Sequence, residues 1–105
     1  YKLAVQWLRR AAERGYPGAQ FNLGHVFHEG KGVAQSSVKA VRWYRLAAAQ
    51  GDKRAFYNLG TCYKDGTGVP EDKREAMRLY KISAAKGFDD AAAAAEELQA
   101  YLDEH

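Results

Sequence analysis

The chain has 105 residues, 47% of them apolar, with two prolines and a net charge of +3. That is enough for one folded domain, and the apolar fraction excludes a disordered chain. No apolar run approaches the ~20 residues of a membrane span, and a charge of +3 falls short of a nucleic-acid footprint. One cysteine, Cys62, permits no internal disulfide and points to a reducing compartment such as the cytoplasm. The chain starts at Tyr1 without Met or a basic-then-apolar leader. It reads as a piece of a longer protein, so the missing leader says nothing of that protein's compartment, which stays unknown.

In chain order, the pattern predicts helices over roughly 2–14, 18–28, 37–49, 53–64, 73–86 and 89–103. Each lies in a fixed period. Gly15, Gly51 and Gly87 are 36 residues apart, and Trp7, Trp43 and Leu79 repeat in the same register. So do Ala12, Ala48 and Ala84, and Ala19, Ala55 and Ala91. Asn22-Leu23-Gly24 recurs as Asn58-Leu59-Gly60, and Gly30-Lys31-Gly32-Val33 as Gly66-Thr67-Gly68-Val69. Such a period signals stacked units that bury their apolar faces against their neighbours.

The first helix, 2–14, is the second helix of a unit whose first helix is missing. Trp7 and Leu8 should want a preceding helix to cover them, and could promote self-association instead. In the clearest unit, Ala55, Leu59, Gly60 and Tyr63 line one face of the fourth helix. A mid-helix glycine costs about 1 kcal/mol against alanine, so its recurrence at Gly24 and Gly60 implies close packing. Gly66-Thr67-Gly68-Val69-Pro70 stops that helix. Asp72 is the N-cap of the next, with Glu75 in place for a capping box, and Ser36 holds the matching position one period earlier. Ala76, Leu79, Tyr80 and Ala84 form its buried stripe, and Gly87 ends it in a left-handed cap. The short connection to the sixth helix requires antiparallel neighbours. In that last helix, Ala95 and Glu96 replace Leu59 and Gly60, and the run from Ala91 to Ala95 is followed by Glu96, Glu97, Asp103 and Glu104. That composition suits a polar terminal cap. The expected units are 1–15 (a second helix), 16–51, 52–87 and the capping helix 88–105.

The pattern Ala55-x-x-x-Leu59-Gly60-x-x-Tyr63-x-x-Gly66-x-Gly68-Val69, then Asp72-x-x-x-Ala76-x-x-Leu79-Tyr80-x-x-x-Ala84-x-x-Gly87, resembles the Sel1-like repeat. This family is a cousin of the tetratricopeptide repeat with a longer, Gly-rich loop. Departures are Phe27 for the usual Tyr, Ala34-Gln35-Ser36 for the usual Pro and Asp, and Leu79 for the usual Trp. The resemblance implies an all-α, right-handed α-α superhelix of antiparallel helix pairs that scaffolds protein complexes, with no shared catalytic residues. Some cysteine-rich bacterial members were linked to penicillin-like compounds, but they carry paired cysteines in each repeat, and this chain does not.

First helices line the concave face of such a solenoid. Residues pointing away from the buried stripe are then contact candidates: Phe21, Asn22, His25, His28 and Glu29 in one unit, and Arg54, Tyr57, Asn58, Thr61, Lys64 and Asp65 in the next. An Asn side chain donates and accepts at once, so Asn22 and Asn58 suit an extended peptide backbone, as in tetratricopeptide domains. The alternative is that they hold a neighbouring helix or loop, and Phe21 and Tyr57 could equally be packing residues. His25 and His28 share a helix face with Glu29, but no third ligand is evident, so no metal site is expected. If the two histidines touch a ligand, binding should respond to pH near their titration range.

A second candidate surface is basic. Arg9, Arg45 and Lys81 fall in register, as do Gln6, Arg42 and Arg78, with Lys39, Lys73 and Arg74 nearby. They predict a convex ridge, either a solvated face or a strip for an acidic partner. Aromatic interleaving for base stacking is missing, so no nucleic acid is expected. Gly30-x-Gly32 and Gly66-x-Gly68 are too sparse for a phosphate loop, and Cys62 reads as an inert packing residue. The expected function is a non-enzymatic adaptor without cofactor or metal, binding a protein segment on its concave face. The alternatives are a spacer in a longer solenoid, or a small-molecule or hydrolase site near His25 and His28.

Overall fold

The computed structural model describes residues 2–105. It has six helices: α1 (Lys2–Glu13), α2 (Pro17–Glu29), α3 (Ser37–Ala49), α4 (Lys53–Asp65), α5 (Lys73–Ala85) and α6 (Asp89–Glu104). Each packs on the next, most densely within the pairs α2–α3 and α4–α5. The extents of 47 × 25 × 17 Å describe a short, elongated stack.

The three glycines at the 36-residue period end α1, α3 and α5 in the same way. Gly15, Gly51 and Gly87 take φ of 96°, 91° and 94°, a region open mainly to glycine. At each, the glycine N–H bonds back to Ala12, Ala48 or Ala84, and the next N–H to Ala11, Ala47 or Ser83. This is a Schellman ending, and it turns the chain directly into the next antiparallel helix.

The recurring mid-helix glycines are there for close approach. A Cβ at Gly24 would lie 2.7 Å from the Tyr44 ring, and one at Gly60 would lie 2.9 Å from Tyr80. Both tyrosines are buried. Each α2–α3 or α4–α5 pair thus closes a tyrosine ring onto bare helix backbone. Around these contacts the core gathers Leu23, Phe27, Ala40, Val41, Leu59 and Leu79, with Met77 and Leu98 toward α6.

The Gly-rich loops are packed too. Gly68, at φ 76°, sits where a Cβ would come within 2.5 Å of the Ser37 carbonyl oxygen, so the second loop rests on the start of α3. Helix starts match the expected caps: Ser36 accepts from the Lys39 N–H and Asp72 from the Glu75 N–H. The capping box at Asp72 is only half made. The Glu75 carboxylate turns to Arg78 at 2.7 Å, and the Asp72 N–H donates to the Tyr63 carbonyl. A guanidinium one turn away competes well for an exposed carboxylate, and the backbone of α4 already satisfies the N–H that Glu75 would have served.

Candidate functional site

Helices α2 and α4 flank a cavity of about 280 Å³. His25 and His28 come from α2; Tyr57, Asn58, Thr61, Cys62 and Asp65 come from α4; Tyr44 and Thr67 complete the lining. The Gly24–Tyr44 contact places Tyr44 here, because it brings α3 up behind α2. Tyr44 is buried, and burial raises its phenol to about 12, opposed by a side-chain hydrogen bond with Asn58. Burial likewise raises the Cys62 thiol to about 11, with the Asp65 charge adding to it. The floor groups are therefore neutral near pH 7. What the cavity offers is hydrogen-bond donors and acceptors beside aromatic surface.

The predicted concave residues divide. His25, His28, Tyr57, Asn58 and Thr61 meet in this cavity. His25 pairs with Glu29, whose other oxygen meets Lys31 at 3.1 Å. The hydrogen bond from Lys31 is the main influence holding Glu29 below the usual carboxylate range. Tyr57 also packs on Tyr80 and Phe88, with ring centroids 5.7 and 5.3 Å away. The Thr61 hydroxyl shares a 2.8 Å hydrogen bond with the Tyr80 hydroxyl.

The remaining candidates lie elsewhere. Phe21 packs on Tyr44 at 5.8 Å and belongs to the core. Arg54 stacks 4.2 Å over the Phe21 ring and pairs with its own N-cap, Asp52. Lys64 lines a separate cavity with Lys73, Leu98 and Tyr101 against α6. Asn22 is exposed and stands outside the lining of the central cavity. The two repeated asparagines differ for a simple reason. Asn58 reaches the hydroxyl of Tyr44 in the preceding unit. At the position one period before Tyr44 stands Leu8, which has no hydroxyl for Asn22.

Tyr44 was absent from the predicted site, although a signal exists. It follows Gly24 by the same interval that separates Tyr80 from Gly60, so the glycines mark which ring approaches. Among the described residues, no group of three or more His, Cys, Asp or Glu converges to hold a metal.

The residues of the predicted basic ridge have different surroundings. Arg78 is paired bidentately with Glu75 at 2.7 Å, which holds Glu75 below the usual carboxylate range. Arg45 donates to the Tyr63 hydroxyl at 2.6 Å. Lys81 is exposed. Arg9 and Arg42 share a cleft of about 240 Å³ between α1 and α3.

Antiparallel helix pairs stacked in sequence, each burying its face on its neighbours, define a helical repeat protein of the α-solenoid class. The Sel1 repeat profile matches residues 1–16, 17–52 and 54–88. The chain belongs to the Sel1 repeat family, whose repeats typically mediate protein interactions. A Sel1 repeat protein from Oxalobacter formigenes is similar at 38% identity and a TM-score of 0.86, over 90% of this chain and 71% of that one. A protective antigen with an SLR fold from uropathogenic Escherichia coli is 40% identical, with a TM-score of 0.85 over 87% of this chain. This chain spans only 20% of that antigen. Cysteine rich protein B of Helicobacter pylori matches at 26% identity and a TM-score of 0.80, over 85% of this chain and 67% of that one. No curated protein matches significantly. No helix among the described residues is long and apolar enough to cross a membrane.

Proposed function

We propose that the chain is an adaptor whose α2–α4 groove binds an extended segment of a partner protein. The observation that carries this reading is the central cavity. Two imidazoles, an amide, two threonine hydroxyls and a carboxylate converge there over tyrosine surface, supplied by successive units of the stack. An extended segment presents N–H and C=O groups at short intervals, which such a mixture can satisfy. Aromatic surface beside polar groups also suits the anchors of protein interfaces. In this reading His25, His28, Thr61 and Asp65 make the contacts, and Asn22 extends them along the exposed side of α2. Asn58 and Tyr57 hold the floor in place and offer their free edges to the partner.

Site-specific photo-crosslinking tests it. A benzophenone amino acid is placed at His28, at Thr61 and, as an exposed control outside the cavity lining, at Lys81, each in the full-length protein in its source cell. A partner captured from the first two positions and not from the third is the expected result. Capture from Lys81 alone, or from none of the three, would overturn the proposal. Where a partner is captured, His28→Ala with Asp65→Ala should weaken its binding by about tenfold or more, the scale of one good charge-assisted contact.

A further inference from the structure

We propose that the cleft between α1 and α3 is a second docking site, for an acidic protein segment carrying one apolar anchor residue. It shares no lining residue with the α2–α4 groove and does not depend on it. The cleft is lined by Arg9, Glu13, Phe27, Lys39, Arg42, Trp43 and Leu46. Phe27 is its buried floor, Trp43 a half-buried wall, and Leu46 is 45% exposed.

The repeat supplies an internal control. One period on, the corresponding positions are Arg45, Ala49, Tyr63, Glu75, Arg78, Leu79 and Ile82, so that Glu13 of the first cleft is matched by Ala49 and Lys39 by Glu75. There the cations are satisfied within the protein: Glu75 holds Arg78 and the Tyr63 hydroxyl holds Arg45. In the first cleft, Lys39 stands in place of Glu75 and Phe27 in place of Tyr63. The carboxylate becomes a cation and the hydroxyl disappears. Among the described residues, Arg9, Lys39 and Arg42 form no ion pair with a carboxylate. Arg9 and Lys39 are instead poised over the Phe27 ring, 5.9 and 5.4 Å from its centroid.

Three cations therefore face one carboxylate, Glu13, around a cavity with apolar walls. Guanidinium and ammonium groups set on such walls recognise carboxylates by charge-assisted hydrogen bonds, while Trp43 and Leu46 take a hydrophobic side chain. A nucleic acid fits less well. It needs a continuous track of cations, and Glu13 in this cleft and Glu75, paired with Arg78 in the next unit, interrupt any track. An anionic membrane needs a broad basic plane, and the cleft confines its charge to one hollow.

The test is an NMR titration of the ¹⁵N-labelled protein with an acetylated, amidated peptide, Glu-Asp-Glu-Phe-Glu-Asp-Glu, at physiological ionic strength. Shifts should cluster at Arg9, Phe27, Lys39 and Arg42 and at the Trp43 indole N–H. Lys39→Glu makes the first cleft resemble the second and should weaken binding about tenfold or more, the scale of one charge-assisted contact. Lys81→Glu changes the net charge equally on an exposed residue outside the cleft and should leave affinity within about twofold, because screened surface charge contributes little. Glu75→Lys combined with Tyr63→Phe makes the second cleft resemble the first and should create a second binding site. Circular dichroism confirms that each variant keeps its helix content. Absence of shifts at about 1 mM peptide, the weakest affinity of interest, would overturn the proposal. So would shifts centred on the α2–α4 groove, or equal losses in the Lys39 and Lys81 variants. Tighter binding of this cleft to a DNA duplex or to phosphatidylserine vesicles than to the peptide would overturn the choice of an acidic protein segment.

Discussion

The hairpins α2–α3 and α4–α5 share a backbone arrangement and its caps, and differ in the side-chain contacts at their junctions. In both, a glycine admits a tyrosine ring. In the first, Gln50 donates from α3's C-cap to the Gly15 carbonyl at 2.7 Å and to Gln20 at 2.9 Å. One period later Lys86 and Phe56 replace Gln50 and Gln20, and an ammonium over a ring, 5.9 Å from its centroid, replaces the amide pair. The first hairpin's tyrosine bonds forward to Asn58 in the next unit; the second's bonds to Thr61 within its own hairpin. The contacts that set helix-to-helix distance are kept, and those that decorate the junctions are exchangeable.

The largest effects should therefore come from the glycines. Gly24→Ala and Gly60→Ala should each destabilise the fold by about 1–3 kcal/mol, the cost of overpacking a filled core, despite alanine's better helix propensity. Urea unfolding measures this, and Gly24, where the tyrosine comes nearer, should be the more sensitive. Gly18 lies on the same helix, and a Cβ there would meet nothing within 4 Å. Gly18→Ala should stabilise by about 0.5–1 kcal/mol, since only backbone entropy changes. A gain at Gly24 equal to that at Gly18 would show that propensity, not ring contact, governs α2.

Next come the caps. Ser36→Ala and Asp72→Ala should each cost about 1 kcal/mol, read in the same unfolding experiment, because each removes an acceptor for an otherwise unserved N–H. Similar losses would mark the caps as equivalent in the two hairpins, although one is a hydroxyl and the other a carboxylate.

The tyrosine hydroxyls separate the hairpins by location. Tyr44→Phe should speed amide exchange where α3 meets α4, and Tyr80→Phe within α4–α5. Tyr44 also carries a pH signature. Its folded pKa, about 12, lies above the ordinary value of 10.0 because burial disfavours the phenolate. Its contribution is complete below pH 10 and is lost as pH rises through 12, so Tyr44→Phe should flatten that alkaline decline. An unchanged decline in urea midpoint would remove Tyr44 as its source.

The smallest effect is expected at Glu75. Its folded pKa is depressed, chiefly by the hydrogen bond from Arg78. Its contribution is therefore present above the unfolded carboxylate range and lost as pH falls through the lower folded value. The pair is partly exposed, so Glu75→Gln should cost under about 1 kcal/mol near neutrality, with the difference from the parent vanishing in acid.

All six helices were legible because glycines, caps and stripe residues recur at a fixed interval, and chemical identity at those positions is enough to define a helix end. The groove was legible only in part. Off-stripe position shows that Phe21, Arg54 and Asn58 leave one buried face; it does not show which neighbouring side chain reaches them. Phe21 is taken up by Tyr44 and Arg54, and Asn58 by Tyr44, through contacts between helices that a single helix's periodicity cannot express. The contrast between the basic clefts was likewise hidden, because it depends on Lys39 and Glu75 occupying one position in successive units. Reading Arg9, Arg42, Arg45 and Arg78 as a single ridge passed over it.

Gly68 resting on Ser37 ties the α4–α5 hairpin to the α2–α3 hairpin through backbone, with no residue of the proposed groove involved. Shape and recognition are thereby separable in this chain. If the proposed groove binds a partner, substitutions at His25, His28 or Asp65 should redirect what is bound without altering the angle at which successive units meet, which would make the stack a chassis onto which new specificities can be written.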